Sequence, residues 1–176
     1  MTGRMNELEE QVLTRIREEI EGAEFVLVGI GKELQASEEN REMLLSAYEH
    51  LEKLLKGKTY FAVTENEDEV IFSSGLLDFF IAAPFTSESR MQSGEEQWNA
   101  YLNWLTATLN HRLCILELGV GFEQPQVIRW PFEKTAEFHQ KAVLIRINGK
   151  FPQLPRAIGA RGISVRENAV DFLLKC

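Results

Sequence analysis

Apolar residues recur along this chain at two spacings, and the alternation between them predicts the order of its elements. From Met5 to about Ile20, the residues Leu8, Val12, Ile16 and Ile20 fall four apart with charged residues between them. This is the signature of an amphipathic helix, expected to cover a sheet face or edge. Gly22 stops it, and residues 25–29 (FVLVG) read as a short buried strand that opens into Gly31. Residues 37–56 begin with a capping serine, carry acids in their first turn, and bring Leu44, Leu45, Tyr48, Leu51, Leu54 and Leu55 to one face. They predict a second helix.

Residues 60–64 predict another buried strand, while residues 70–75 (VIFSSG) fit either a short strand or the start of a helix. Residues 84–94 are polar and turn-rich. Beyond them Trp98, Tyr101, Leu102, Leu105 and Leu109 recur at helical spacing. The remaining sequence reads as a strand (CILELGVGF), a helix around 127–138, a strand (KAVLIRIN), and a final strand with a closing helix (ISVRENAVDFLLK). Strands alternating with helices predict an α/β fold, a mostly parallel sheet with helices on both faces. Neither a repeat nor a linker divides the chain, so residues 1–176 are read as a single domain.

Composition narrows the function classes. Hydrophobic residues make up 44% and charged residues 26%, the balance of an ordinary globular protein. With 27 acidic against 19 basic residues the net charge is -8, which repels a phosphate backbone, so nucleic acid is not an expected partner. The apolar runs are shorter than the ~20 residues that cross a bilayer, and the N-terminus lacks an apolar signal core. No membrane association is expected, and the chain is read as cytoplasmic. Cys114, inside an apolar run, is expected to be a small buried hydrophobe; with Cys176 it forms neither a disulfide framework nor a CxxC pair, and no metal is expected.

In a parallel sheet, ligands bind outside the carboxyl ends of the strands, so the chemistry should lie in the loops that follow them. These are Gly29-Ile30-Gly31, the run Thr64-Glu65-Asn66-Glu67-Asp68, Gly119-Val120-Gly121, and Asn148-Gly149. Each glycine pair alone is also what a tight turn needs, and Asn66 and Asp68 are also plain turn formers. Three such loops at one end of three predicted strands raise the weight of a binding site. Lys32 either meets a phosphate or is solvated. The three tryptophans, Trp98, Trp104 and Trp130, read as core or interface anchors, and His111 and His139 as surface or helix-end residues.

The run CILELGVGFEQPQVIRWPFE followed by KAVLIRIN resembles the C-terminal half of sirtuins, most of all the bacterial branch associated with ADP-ribosylation systems. Upstream, TENED resembles the sirtuin Thr-Gln-Asn-Ile-Asp motif, and GAEFVLVGIG resembles the start of the sirtuin glycine-rich segment. The likeness runs from about Gly22 to the end and is strongest over 113–148. It implies a Rossmann-like sheet of about six parallel strands, the large sirtuin domain alone, binding NAD or ADP-ribose. By the same resemblance Gly29, Gly31, Thr64, Gly119, Val120 and Gly121 would line the cofactor, and Asn148 would meet the adenosine ribose. Asn66 would orient the nicotinamide-side ribose and its attacking water, and Asp68 would face the carboxamide.

The departures are specific. The first loop reads Gly-Ile-Gly-Lys-Glu-Leu and runs toward a helix, without the usual cofactor-covering segment. The sirtuin His-Gly base has no counterpart, since His50, His111 and His139 all lie elsewhere. Ser87, Glu88 and Ser89 lie where a substitute would be sought. About a dozen polar residues replace the four-cysteine zinc module, so protein deacylation is not expected. If the chain were active, NAD hydrolysis or ADP-ribosyl transfer would be the expected chemistry. The alternative is a protein-interaction module that kept the fold without the pocket, with a protein rather than an adenine nucleotide as partner.

Overall fold

The computed structural model describes residues 6–86 and 94–176. Its centre is a six-stranded sheet built from β1 (Phe25–Ile30), β2 (Thr59–Thr64), β3 (Ile81–Ala82), β4 (Leu113–Leu118), β5 (Ala142–Ile147) and β6 (Gly162–Val165). Every pairing is parallel, in the order β3-β2-β1-β4-β5-β6. The chain winds outward from β1 through β2 to β3, then returns to the other side of β1 with β4 and continues to β6. The order reverses between β1 and β4, the topological switch point at which α/β sheets of this kind generally bind ligands. The predicted fold class and parallel sheet are thus observed.

Helices cover both faces. One carries α1 (Glu7–Gly22), α2 (Arg41–Leu55) and α5 (Ala169–Lys175), packed over Val26, Val28, Ile30, Leu116 and Leu118. The other carries α3 (Gly94–Ala107) and α4 (Arg129–Phe138), packed over Leu27, Phe61, Val63, Ile115 and Leu144. The strands are buried on both faces, which is why they read as continuous apolar runs rather than alternating ones. Among the described residues no helix is long and apolar enough to cross a membrane.

Several expectations are corrected. In α1 the buried stripe is Leu13, Ile16 and Ile20, whereas Leu8 is 69% exposed. A strict step of four drifts around a helix of 3.6 residues per turn, so Leu8 rotates off the face that Ile16 and Ile20 share. The second helix starts at Arg41, not Ser37, because the Ser37 hydroxyl accepts from the Asn40 amide and the Asn40 carboxamide accepts from the Ser37 amide. That reciprocal pair closes a turn ahead of the helix. Residues Val70–Ser73 form a short 3-10 helix rather than a strand, and the third strand is the two-residue β3 instead. The helical spacing that runs through Leu109 predicts a longer helix than α3, which ends at Ala107, and Asn110 takes a left-handed backbone, φ 68°.

The structure decides between the alternatives left open for several side chains. Trp130 is 53% exposed, while Trp104 packs edge-on against Phe25 as a core residue should. His139 is a helix-end residue, the C-terminal cap of α4; it is buried, its Nε2 2.9 Å from the Thr108 carbonyl, because α4 ends against the turn that follows α3. His111 is exposed and pairs with Glu24. Cys114 is buried as expected, and burial pushes its thiol up to about 12.

Candidate functional site

The loops that follow β1, β2, β4 and β5 meet along the carboxyl edge, held by a relay of backbone hydrogen bonds. Glu65 N–H donates to Ile30 O, Gly31 N–H to Leu118 O, Gly119 N–H to Ile147 O, and Asn148 N–H to Val165 O, at 2.8–3.1 Å. Each bond extends a strand pairing one step past the end of the ladder. The predicted loops therefore do converge, and side-chain amides lock them further. Asn66 Nδ2 donates to Gly31 O at 2.9 Å, and Asn148 Nδ2 donates to Val120 O at 2.8 Å.

The glycines have different physical reasons. A Cβ on Gly31 would lie 2.3 Å from Gly119 O and 2.4 Å from the Val120 Cα, so the β1 and β4 loops touch backbone to backbone. Gly119 adopts φ +65°, and a Cβ there would strike Glu33 Cβ at 2.4 Å. Gly29 sits inside β1, where a side chain would collide with Ile128 and Phe132 under α4. Gly121 is the exception. A Cβ there would meet nothing nearer than Phe151 at 3.8 Å. Beside it Phe122 and Phe151, both partly exposed, pack edge to face 5.2 Å apart, and Arg129 lies 4.1 Å over the Phe122 ring.

The other predicted residues are mostly engaged. Thr64 is buried and its hydroxyl accepts from the Asn66 amide at 3.1 Å. Asn148 Oδ1 accepts from the Lys150 and Phe151 amides, turning the loop after β5. Asp68 accepts the Ala36 amide on one oxygen and the Val70 amide on the other, so its carboxylate closes the loop toward α2. Lys32 is half-buried and its ammonium reaches the Glu65 carbonyl at 3.4 Å. Ser87, Glu88 and Ser89 lie outside the described residues.

Two polar features were not singled out from the sequence. The first is an ion network on the α4 side of the sheet. Arg146 of β5 donates from Nε and Nη2 to the two Glu117 oxygens, at 2.8 and 2.9 Å, and reaches Glu133 of α4 at 2.8 Å. Arg129 donates to the Val120 and Phe151 carbonyls and lies 3.9 Å from Glu117. Glu117 and Arg146 are fully buried. Burial pushes the Glu117 carboxyl up, against the pull of Arg146 and Arg129 in the other direction. The network ties α4 and the 120–122 and 151–153 loops to the sheet edge.

The second is Glu65. It is fully buried, and neither carboxyl oxygen has a hydrogen-bond partner; the same is true of the adjacent Asn66 Oδ1. Burial pushes the Glu65 carboxyl up to about 7, with Lys32 opposing and Glu123 and Glu117 adding to the rise. Buried acceptors without donors are rare and costly, and they concentrate where a ligand or water completes the site. The available signal was a glutamate placed directly after an apolar strand. In the loop TENED it is masked by four other polar residues that suit a turn.

No family model matches this chain. A 54-residue stretch, 30% of the chain and 8% of the relative, is 43% identical to a probable bifunctional ADP-ribose hydrolase/ADP-ribosyltransferase of Fusarium oxysporum f. sp. cubense. A 73-residue stretch, 42% of the chain and 22% of the relative, is 26% identical to a protein ADP-ribosyltransferase of Staphylococcus aureus (strain Mu50 / ATCC 700699). Both are named for ADP-ribose chemistry. The matched part spans less than a quarter of either relative's length. Among the described residues no group of three or more His, Cys, Asp or Glu is arranged to hold a metal ion.

Proposed function

We propose that this chain is a reduced sirtuin-like domain that binds NAD or ADP-ribose along the carboxyl edge of its sheet. The observation that carries the reading is the convergence of the β1, β2, β4 and β5 loops at the topological switch, with buried, unpaired acceptors on Glu65 and Asn66 at its centre. The partial likeness to proteins named for ADP-ribose chemistry supports the same ligand class. Gly121 gives a phosphate room to approach the backbone, and the exposed faces of Phe122 and Phe151 suit an adenine ring beside it. Asn66 keeps a free acceptor for a ribose hydroxyl or a water. The chemistry such a site would serve is attack at the nicotinamide-side ribose carbon, by water or by an ADP-ribose acceptor.

A second reading has its own support. The nitrogens of Asn66 and Asn148 and both oxygens of Asp68 are committed within the chain. On that basis the fold would serve as a module for a protein partner.

Thermal melts with millimolar ADP-ribose or NAD separate the two, because a ligand that binds only the folded state raises the melting temperature. A concentration-dependent rise is expected. Gly121→Ala should leave the unliganded melt within about 0.5 kcal/mol of wild type and shrink the rise. An unchanged melt at every nucleotide concentration overturns the nucleotide reading. Where nicotinamide is released from NAD, Asn66→Ala should abolish the release.

A further inference from the structure

The sirtuin resemblance leaves this chain without a proton acceptor, yet a carboxyl stands directly beside Asn66. Glu65 directly precedes Asn66 at the end of β2, and its amide is bonded to Ile30, the last residue of β1. It is fully buried with both oxygens unpartnered. The charged groups that face it come from each neighbouring element. Lys32 lies in the loop after β1, Glu123 in the loop after β4, and Glu117 on β4, the last already held by Arg146 and flanked by Arg129. Glu65 is thus without the side-chain donors that neutralise Glu117, and only Lys32 pulls against its burial. Glu117 has two from Arg146.

We propose that Glu65 is the proton acceptor of this site in cleavage of the nicotinamide–ribose bond of NAD. The proposal rests on the nucleotide reading above. In this step a water oxygen bonds to the ribose C1′ as the bond from C1′ to the pyridinium nitrogen breaks. The bonding pair leaves with the ring, which departs as neutral nicotinamide, and the water's proton passes to the Glu65 carboxylate. The products are ADP-ribose and nicotinamide, with the proton later released to solvent. A general base must be ionised at the working pH and have a lone pair free, and no side-chain donor holds the Glu65 oxygens. Its raised position, near 7, makes it a stronger base than an exposed glutamate while leaving it ionised in mildly alkaline solution.

No described histidine competes for the role. His111 pairs with Glu24 just before β1, His139 lies just before β5, and both therefore sit at the opposite, amino end of the sheet. His50 lies inside α2.

The test measures nicotinamide release from NAD and, separately, ADP-ribose affinity by calorimetry, for the full chain and for Glu65→Gln. Wild-type release should fall about tenfold per pH unit below about 7 and level off above it. At saturating NAD, Glu65→Gln should release nicotinamide at least 100-fold more slowly than wild type, with no limb near 7. Release by the variant at the wild-type rate, or with the same acid limb, overturns the assignment. So does a wild type that binds ADP-ribose but releases no nicotinamide at any pH, and this outcome leaves the binding reading intact. A wild type that binds neither nucleotide overturns both. The wild-type pH profile needs no variant, so a poorly folding variant does not remove the test.

Discussion

At the residue scale, the edge of the sheet holds polar groups under two opposite conditions. Arg146 is buried but answered from both sides by Glu117 and Glu133. Breaking such a pair from one side leaves an unmatched buried charge, so Glu117→Ala should cost about 3–5 kcal/mol, measured by urea denaturation. Glu65 is buried without such a side-chain partner, and burial sets how its effect on stability varies with pH. Its ordinary value is 4.5 and burial raises it to about 7. The neutral acid's contribution to stability is therefore complete below 4.5 and lost as pH rises through 7. Glu65→Gln removes that loss. The variant should be more stable than wild type at pH 8, by roughly 1–3 kcal/mol, and the gap should close as pH falls to 4.5. The glycines divide in the same way. Gly31→Ala forces a methyl into the Gly119 carbonyl and should destabilise by more than about 2 kcal/mol, whereas Gly121→Ala meets open space.

At the element scale, helix α1 begins at a capping box in which Asn6 and Glu9 each accept the other's backbone amide. Asn6→Ala should cost about 1 kcal/mol. Leu13→Ala should cost roughly 2–4 kcal/mol, while Leu8→Ala should change little, because Leu8 points to solvent. Chemical denaturation of the pair distinguishes the observed buried stripe from the step-of-four stripe that the sequence suggests. The major elements were legible because long apolar strands and periodic helices carry strong local signals. What escaped was set by tertiary contacts. The two residues of β3 are too few to make a pattern, and the start of α2 is decided by the mutual Ser37 and Asn40 bonds. Glu117 and Arg146 stand singly in apolar strands, and only the pairing of β4 with β5 puts them side by side. The four glycine or amide loops were found from their position after strands. Which of them are committed to holding one another, and which leave a free acceptor, depends on distances no one-dimensional pattern contains.

At the scale of the whole molecule, residues far apart in sequence are brought together by parallel pairings, each of which needs a crossover to form. Such a topology is dominated by non-local contacts and folds slowly for its size. The edge carrying the candidate site requires β1, β2, β4 and β5 to be in place at once, so it should be completed late. The helices on the two faces contribute unequally to it. The α4 side supplies Arg129 and Glu133, while the α2 side meets the loops through Asp68 and its Ala36 bond.

The relay of amides from Glu65 through Gly31 and Gly119 to Asn148 has a consequence for how this surface breathes. None of these four hydrogens can be lost to solvent without parting two neighbouring strand ends, and each strand end also anchors the next. In deuterated buffer they should therefore exchange at one common, slow rate, while the amides of the polar turn at Glu67 exchange quickly. A nucleotide seated anywhere on the line should slow all four by the same factor. Isotope uptake at one position would then report occupancy at a distant one, with no shift in mean structure between them.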